Sequence, residues 1–150
     1  MNIFRADYKD LEEILKLQYL AYKSEAALFG TDDIPPLRQT INEVIYEYDH
    51  GIVLKLVDDD NVIIGSVRAK EENDTVYIGK LMVNPDHRGN GYGTRLLKGI
   101  EKYSSCNRCE LFTSTRSVDN IRLYEKNGYK EFKREALNEE LIFVYMEKYR

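Results

Sequence analysis

The chain has no tryptophan, three prolines, two cysteines and two histidines in 150 residues. Few prolines, and no low-complexity tract or repeat, exclude a stiff linker or a solenoid and place a single domain over residues 1–150. Two cysteines cannot staple a domain of this size, so a hydrophobic core must hold it, and a reducing, cytoplasmic setting is expected. Cys106 and Cys109 do stand as C-x-x-C. A zinc site needs two further ligands, and His50 and His87 with no second cysteine pair do not supply them, so no metal is expected. A redox dithiol opens a helix after a strand, whereas this pair precedes the apolar run 109–113 and reads as two ordinary thiols at a helix-to-strand turn. No apolar run approaches the ~18 residues of a membrane span. The first twenty residues carry acids throughout, unlike a signal peptide, so no membrane partner is expected. Nor is there an excess of positive charge: 22 basic against 26 acidic side chains give a net −4. That argues against a bulk grip on nucleic acid while leaving room for a local basic site on one phosphorylated ligand.

What is present is strong periodicity. Residues 2–6 read as a strand. Asp7 resembles the N-cap of a helix running to about residue 22, with Leu11, Ile14, Leu15, Leu17 and Gln18 on one face. Residues 24–37 read as irregular, broken by Gly30 and reset by Pro35 and Pro36. A helix follows over about 37–48, then strands at 52–57, 62–69 and 75–83 in a meander. Beyond Pro85 the spacing predicts a helix over about 91–103, a strand at 109–113 and a helix over about 118–126 with Gly128 as its C′ residue. Strands near 129–134 and 140–148 close the chain. The last is apolar on both faces, hence either central in the sheet or covered at a subunit contact, so a homodimer is one expectation. The fold class is α/β (α+β): a mixed sheet in the order β-α-α-β-β-β-α-β-α-β-β, with helices on both faces.

Nine glycines are present, and three fall within five residues, at Gly89, Gly91 and Gly93. A strand ends just before them and a helix starts among them. At such a junction several backbone N–H groups lack helical partners and face outward at the positive end of the helix dipole. Arg88 adds a planar cation, and His87, Arg95 and Lys98 make this the most basic stretch of an acidic chain. The physical reading is a cradle for a pyrophosphate. A dinucleotide fingerprint fails because it would need glycine at Thr94, and a P-loop fails for want of Gly-Lys-Ser/Thr. What remains is R-x-x-G-x-G.

The stretch LMVNPDHRGNGYGTRLL (residues 81–97) resembles the acyl-CoA-binding motif of the GNAT superfamily of N-acetyltransferases. Downstream, NIRLYEKNGY (residues 120–129) resembles that family's N-x-x-x-Y-x-x-x-G-[YF] signature, and the element order is similar over nearly the whole chain. The resemblance implies acetyl-CoA as co-substrate and an amine as acceptor. It implies that Arg88, Gly89, Asn90, Gly91, Tyr92, Gly93 and Thr94 hold the CoA pyrophosphate. It further implies that Leu81, Met82 and Val83 pair their backbone with the amide-bearing pantetheine arm in a gap between two splayed strands. Asn120 contacts the arm from the other side, and Lys126 reaches an outer phosphate.

The chemistry implied is direct attack of the amine on the thioester, with a backbone N–H near Met82 for the developing oxyanion and Tyr124 protonating the departing thiolate. A phenol titrating near ~10 keeps its proton at neutral pH, while alkyl thiols titrate near ~8.5. The chain departs from the family where many relatives carry a glutamate before the phosphate loop. Here the letters are Gly79, Lys80, Leu81, Met82 and Val83, so the general base is open. Glu25, Asp32, Asp33, Glu71 and Glu72 are candidates, each reading more readily as a solvated surface acid. Gly79 reads as room for the acceptor and Lys80 as facing solvent. Glu25, Asp32 and Asp33 would suit a cationic amine, and Arg38 an acceptor carboxylate. The preferred acceptor is a small amine or amino-acid-like metabolite. The rivals are a protein N-terminus or lysine, and a non-catalytic acyl-CoA sensor.

Overall fold

In β2 (Ile52–Val57), the side chains of Ile52, Leu54 and Leu56 enter one core while Val53 and Val57 enter another. A strand's two-residue period does this only when both faces of its sheet are covered. The structure, a computed structural model, describes residues 1–150. Before β2 come β1 (Asn2–Arg5), a 3₁₀ turn at Tyr8–Asp10, α1 (Leu11–Phe29), α2 (Pro35–Arg38) and α3 (Ile41–Asp49). After it come β3 (Ile63–Glu72), β4 (Thr75–Val83), a 3₁₀ turn at Pro85–His87 and α4 (Tyr92–Lys102). The chain closes with β5 (Arg108–Ser114), α5 (Val118–Lys126), β6 (Lys130–Ala136) and β7 (Ile142–Tyr149).

The seven strands form one sheet in the order β1-β2-β3-β4-β5-β7-β6. All neighbours are antiparallel except β4 and β5, so the sheet is mixed. On one face α4 contributes Leu96, Leu97 and Ile100, all fully buried. On the other, α1 and α3 contribute Leu11, Ile14, Leu15 and Val44. Each such side chain stabilises the fold by about 1.5–3 kcal/mol relative to exposure. No helix is long and apolar enough to cross a membrane.

The structure departs from the sequence reading in three places. Asp7 opens the 3₁₀ turn rather than α1 itself, its N–H donating to Asp10 Oδ2 at 2.8 Å. The first helix does not stop near residue 22. Residues 24–29 continue it because Ala26 and Phe29 extend the apolar face into a third cluster with Ile34 and Leu141. Gly30, at φ +71°, then ends it in the left-handed conformation that glycine tolerates. The second helix is interrupted. Thr40 starts α3 afresh, its hydroxyl accepting from the Glu43 N–H at 3.3 Å while Glu43 Oε1 accepts from the Thr40 N–H at 2.9 Å. Of the two positions expected for the doubly apolar last strand, it takes the central one: β7 lies between β5 and β6. Its outer face carries Phe143 and Tyr145, which pack on Phe112 with ring centroids 5.1 Å apart. The edge beyond it, β6, is exposed and charged along its length, which discourages strand addition.

Candidate active site

The parallel strands β4 and β5 pair only where Thr75, Val76 and Tyr77 meet Arg108, Cys109 and Glu110. Beyond that point they diverge with no further pairing, although β4 continues to Val83 and β5 to Ser114. At the divergence β4 is bulged. Gly79 opposes Arg68 and Met82 opposes Ser66, so Val67 faces two residues, Lys80 and Leu81. Lys80 absorbs the extra residue at φ +51°, a conformation that costs a non-glycine residue about 1–2 kcal/mol. Strain of this kind persists where surrounding structure over-determines it, commonly beside functional sites.

Two cavities meet at this bulge. The smaller, of about 190 Å³, lies between the diverging strands, α1 and α5, and is lined by Tyr22, Glu25, Leu81, Asn120 and Tyr124 among others. The larger, of about 580 Å³, lies toward α3 and is lined by Glu43, Glu47, Arg68 and Lys80 among others. Ile78, Gly79, Lys80 and Phe112 border both.

Tyr124 stands in the last turn of α5 with its ring buried, and its hydroxyl makes no hydrogen bond within the protein. Burial, and secondarily the Glu25 carboxylate, push the phenol above its ordinary range, so it holds its proton. Tyr22, one turn before Glu25 on α1, is pushed up by the same two causes. Glu25 reaches across to α5: its Oε1 accepts from Ser117 Oγ and from Asn120 Nδ2, the latter at 3.1 Å. Asn120 also donates to Thr113 Oγ1 on β5 at 3.3 Å. Glu25 is therefore an acid of the cavity wall, not of the solvated surface.

The other acids of the sequence reading lie elsewhere. Glu71 accepts from Ser104 Oγ and Cys106 Sγ at 3.1 Å each. It and Glu72 sit at the closed end of the β3–β4 pairing. Asp32, Asp33 and Arg38 are exposed and line neither cavity, and Arg38 spends its charge on Asp33 at 2.7 Å. Cys106 and Cys109 are free and buried, and burial pushes the Cys109 thiol up.

The glycine loop resolves into separate roles. Gly89 and Gly91 sit at φ +80° and +78° with open space around them, so their service is conformational. Gly93 is different: a Cβ there would lie 3.2 Å from Leu123 Cδ2, so it admits α5 against α4. The first bond into α4 is from Arg95 N–H to Gly91 O at 3.1 Å, which leaves the N–H groups of Tyr92, Gly93 and Thr94 without partners in the helix. Arg88 directs its guanidinium to Ser24 Oγ at 3.1 Å and Ala21 O at 3.3 Å, tying the loop to α1. Asn90 folds back on His87 O at 3.0 Å. Leu81 lines the smaller cavity, whereas Met82 buries its side chain on the opposite face beneath α1. Lys126 is exposed at the end of α5 and lines neither cavity.

Residues 9–129 match the model of the acetyltransferase (GNAT) family. The chain belongs to the GNAT family. Its donor set fits the family's acyl carrier, with unpartnered N–H groups at the head of α4 for an anion and an unpaired stretch of β4 for an amide-bearing arm. An acetyltransferase of the GNAT family from Staphylococcus aureus shares the fold with a TM-score of 0.80 at 17% identity, covering 99% of this chain and 98% of that one. The PaiA N-acetyltransferase of Thermoplasma acidophilum, solved in complex with coenzyme A, has a TM-score of 0.76 at 20% identity over all of both chains. A curated relative, the UPF0157 protein YqkA of Bacillus subtilis, is 24% identical over 120 residues, which are 79% of this chain and 34% of YqkA. The chain thus spans about a third of that relative's length.

Two features of this GNAT site were hidden from sequence reasoning. Lys80, taken from its letters to face solvent, borders both cavities, and burial pushes its ammonium down. Arg68 is buried in β3, with Nη2 donating to Gln18 Oε1 at 2.7 Å and Nη1 to Glu47 at 2.8 Å, while its Nε–H has no partner. Gln18 among the apolar positions of α1 was the available signal for a buried polar network.

Proposed function

We propose that this chain moves an acetyl group from acetyl-CoA to the nitrogen of a small primary amine, with Tyr124 as general acid. The observation that carries this reading is the Tyr124 hydroxyl, unpartnered within the protein and walling a cavity where two parallel strands separate. Acetyl-CoA supplies the thioester-activated acyl group. The loop from Arg88 through Thr94 holds its diphosphate by backbone N–H groups, the open edge at Leu81, Met82 and Val83 pairs with its arm, and Asn120 lies against the arm from α5. A backbone N–H near Met82 faces the developing oxyanion. Tyr124 gives its proton to the departing sulfur and regains one from the medium.

Glu25 is the base or ammonium anchor in this scheme. Its Oε1 is occupied by Ser117 and Asn120, which leaves Oε2 for the acceptor. Glu25→Gln keeps both of those contacts sterically and removes the charge. It is expected to raise the KM of the amine by about tenfold or more, in keeping with the loss of one charge-assisted hydrogen bond. Steady-state kinetics in varied amine check this, and an unmoved KM removes Glu25 from acceptor binding.

The reading as a whole is tested by release of CoA thiol from acetyl-CoA against a panel of small amines and peptides. Turnover on small amines supports it. Turnover on peptides alone makes the chain a protein acetyltransferase. Tight coenzyme binding without turnover on either makes it a sensor.

A further inference from the structure

Of the three cations that line the larger cavity, one is ion-paired, one is exposed and one, Lys80, is neither. Glu47 is held by Arg68 at 2.8 Å and by Gln39 at 2.9 Å. Glu110 is held by Arg108 at 2.9 Å, and Glu43 closes the capping box on Thr40. Among the cations, Arg68 is spent on Glu47, Gln39 and Gln18, and Lys70 lies over the Tyr77 ring, 5.9 Å from its centroid. Lys80 has neither an ion pair nor a hydrogen bond. The only buried side-chain polar atom without a partner is Arg68 Nε, so the Lys80 ammonium is open to the cavity.

The position is set by the backbone, since Lys80 occupies the left-handed residue of the bulge. Beside it Gly79 leaves the seam between the cavities clear, because a Cβ there would meet nothing within 4 Å. Glu47 and Glu43 stand near enough to favour the Lys80 charge and Arg68 near enough to oppose it. Both carboxylates are bonded to other groups, so a partly desolvated ammonium still lacks the direct contact that a bound anion would supply.

We propose that the acceptor carries an acidic group, a carboxylate or a phosphate, which Lys80 holds in the larger cavity while the acceptor's amine reaches past Gly79 to Glu25 and Tyr124. The proposal rests on the transferase reading above and narrows its substrate class to acidic amines. Lys80 is then a specificity residue, since its charge is needed but no proton transfer from it is.

The test compares kcat/KM for matched amines with and without the acid: phenylalanine against phenethylamine, lysine against cadaverine, and phosphoethanolamine against ethanolamine. The first two pairs report a carboxylate and the third a phosphate. The unaltered protein is expected to prefer the acidic member of at least one pair by about tenfold or more. Lys80→Met is expected to abolish that preference, and Lys80→Arg, which keeps the charge but cannot act as a base, to retain most of it. A ratio within each pair is insensitive to a general loss of fold or of coenzyme affinity. No acid preference in any pair, or a preference that survives Lys80→Met, overturns the proposal. So does equal loss of both members in Lys80→Arg, which would make Lys80 a base. If coenzyme binds and no amine is turned over, the transferase reading fails separately. The anion site is then decided by titrating N-acetylphenylalanine and inorganic phosphate into the CoA-loaded protein. Weakening of either by about tenfold in Lys80→Met sustains the site, and equal or absent binding overturns it.

Discussion

Tyr124→Phe is expected to lower kcat by about 10²–10⁴-fold, the range that general acid catalysis contributes. The substitution removes one oxygen and keeps the ring, which is buried among core residues and packs 6.2 Å from the Tyr129 ring. Because the hydroxyl makes no hydrogen bond within the protein, its removal leaves no orphaned partner, and the thermal midpoint should stay close to that of the parent. The loss should therefore fall on turnover, with acetyl-CoA affinity by calorimetry little changed. Tyr22→Phe is the matched control, since that phenol lines the same cavity and is shifted upward by the same causes. Loss of turnover in Tyr22→Phe with normal turnover in Tyr124→Phe would move the acid to α1. The pH profile adds a second check. Burial and Glu25 keep Tyr124 protonated, so kcat should show no descending limb from this group below pH ~10.

Gly91→Val is expected to weaken acetyl-CoA binding by about 100-fold, equivalent to losing one or two charge-assisted hydrogen bonds from the N–H groups of the loop. The cause is strain and not collision. Nothing lies within 4 Å of a Cβ at this position, but its φ is +78°. A β-branched residue is a poor fit there and would draw the backbone toward negative φ, turning the N–H groups that precede α4. Fold stability should fall only modestly, because Leu96, Leu97 and Ile100 keep α4 docked on the sheet. Gly91→Ala, less crowded at Cβ, should fall between the parent and the valine variant. Equal affinity for acetyl-CoA in Gly91→Val, measured by calorimetry, would detach this loop from coenzyme binding.

These two residues differ in how they were legible. Gly91 belongs to a local pattern, a glycine cluster between a strand end and a helix start, and the chemistry of such a junction follows from backbone groups alone. Tyr124 stands four residues after Asn120 and four before Gly128, and helical geometry places it on one face with Asn120. The span of β2 and that of α5 were readable for the same reason, because turns and caps flank them closely. The end of α1 was less so. Gly30 was visible as a breaker, yet whether residues 24–29 stayed helical depended on Ile34 and Leu141 being there to receive Ala26 and Phe29.

Glu25 was named among several acids without being singled out, and Lys80 was missed, for a deeper reason. The partners that bring Glu25 into the cavity, Ser117 and Asn120, lie 92 and 95 residues away along the chain. Lys80 owes its placement to a register slip against β3 that no periodicity within β4 records.

Local order along the chain, its alternating strands and the glycine turn at the head of α4, was thus settled by the amino-acid sequence itself, since each depends on neighbours within a few residues. The parting of β4 from β5, the bulge that turns Lys80 inward and the bridge from Glu25 to α5 were decided only by tertiary structure. Each exists because segments distant in sequence compete for the same backbone edges and the same buried space.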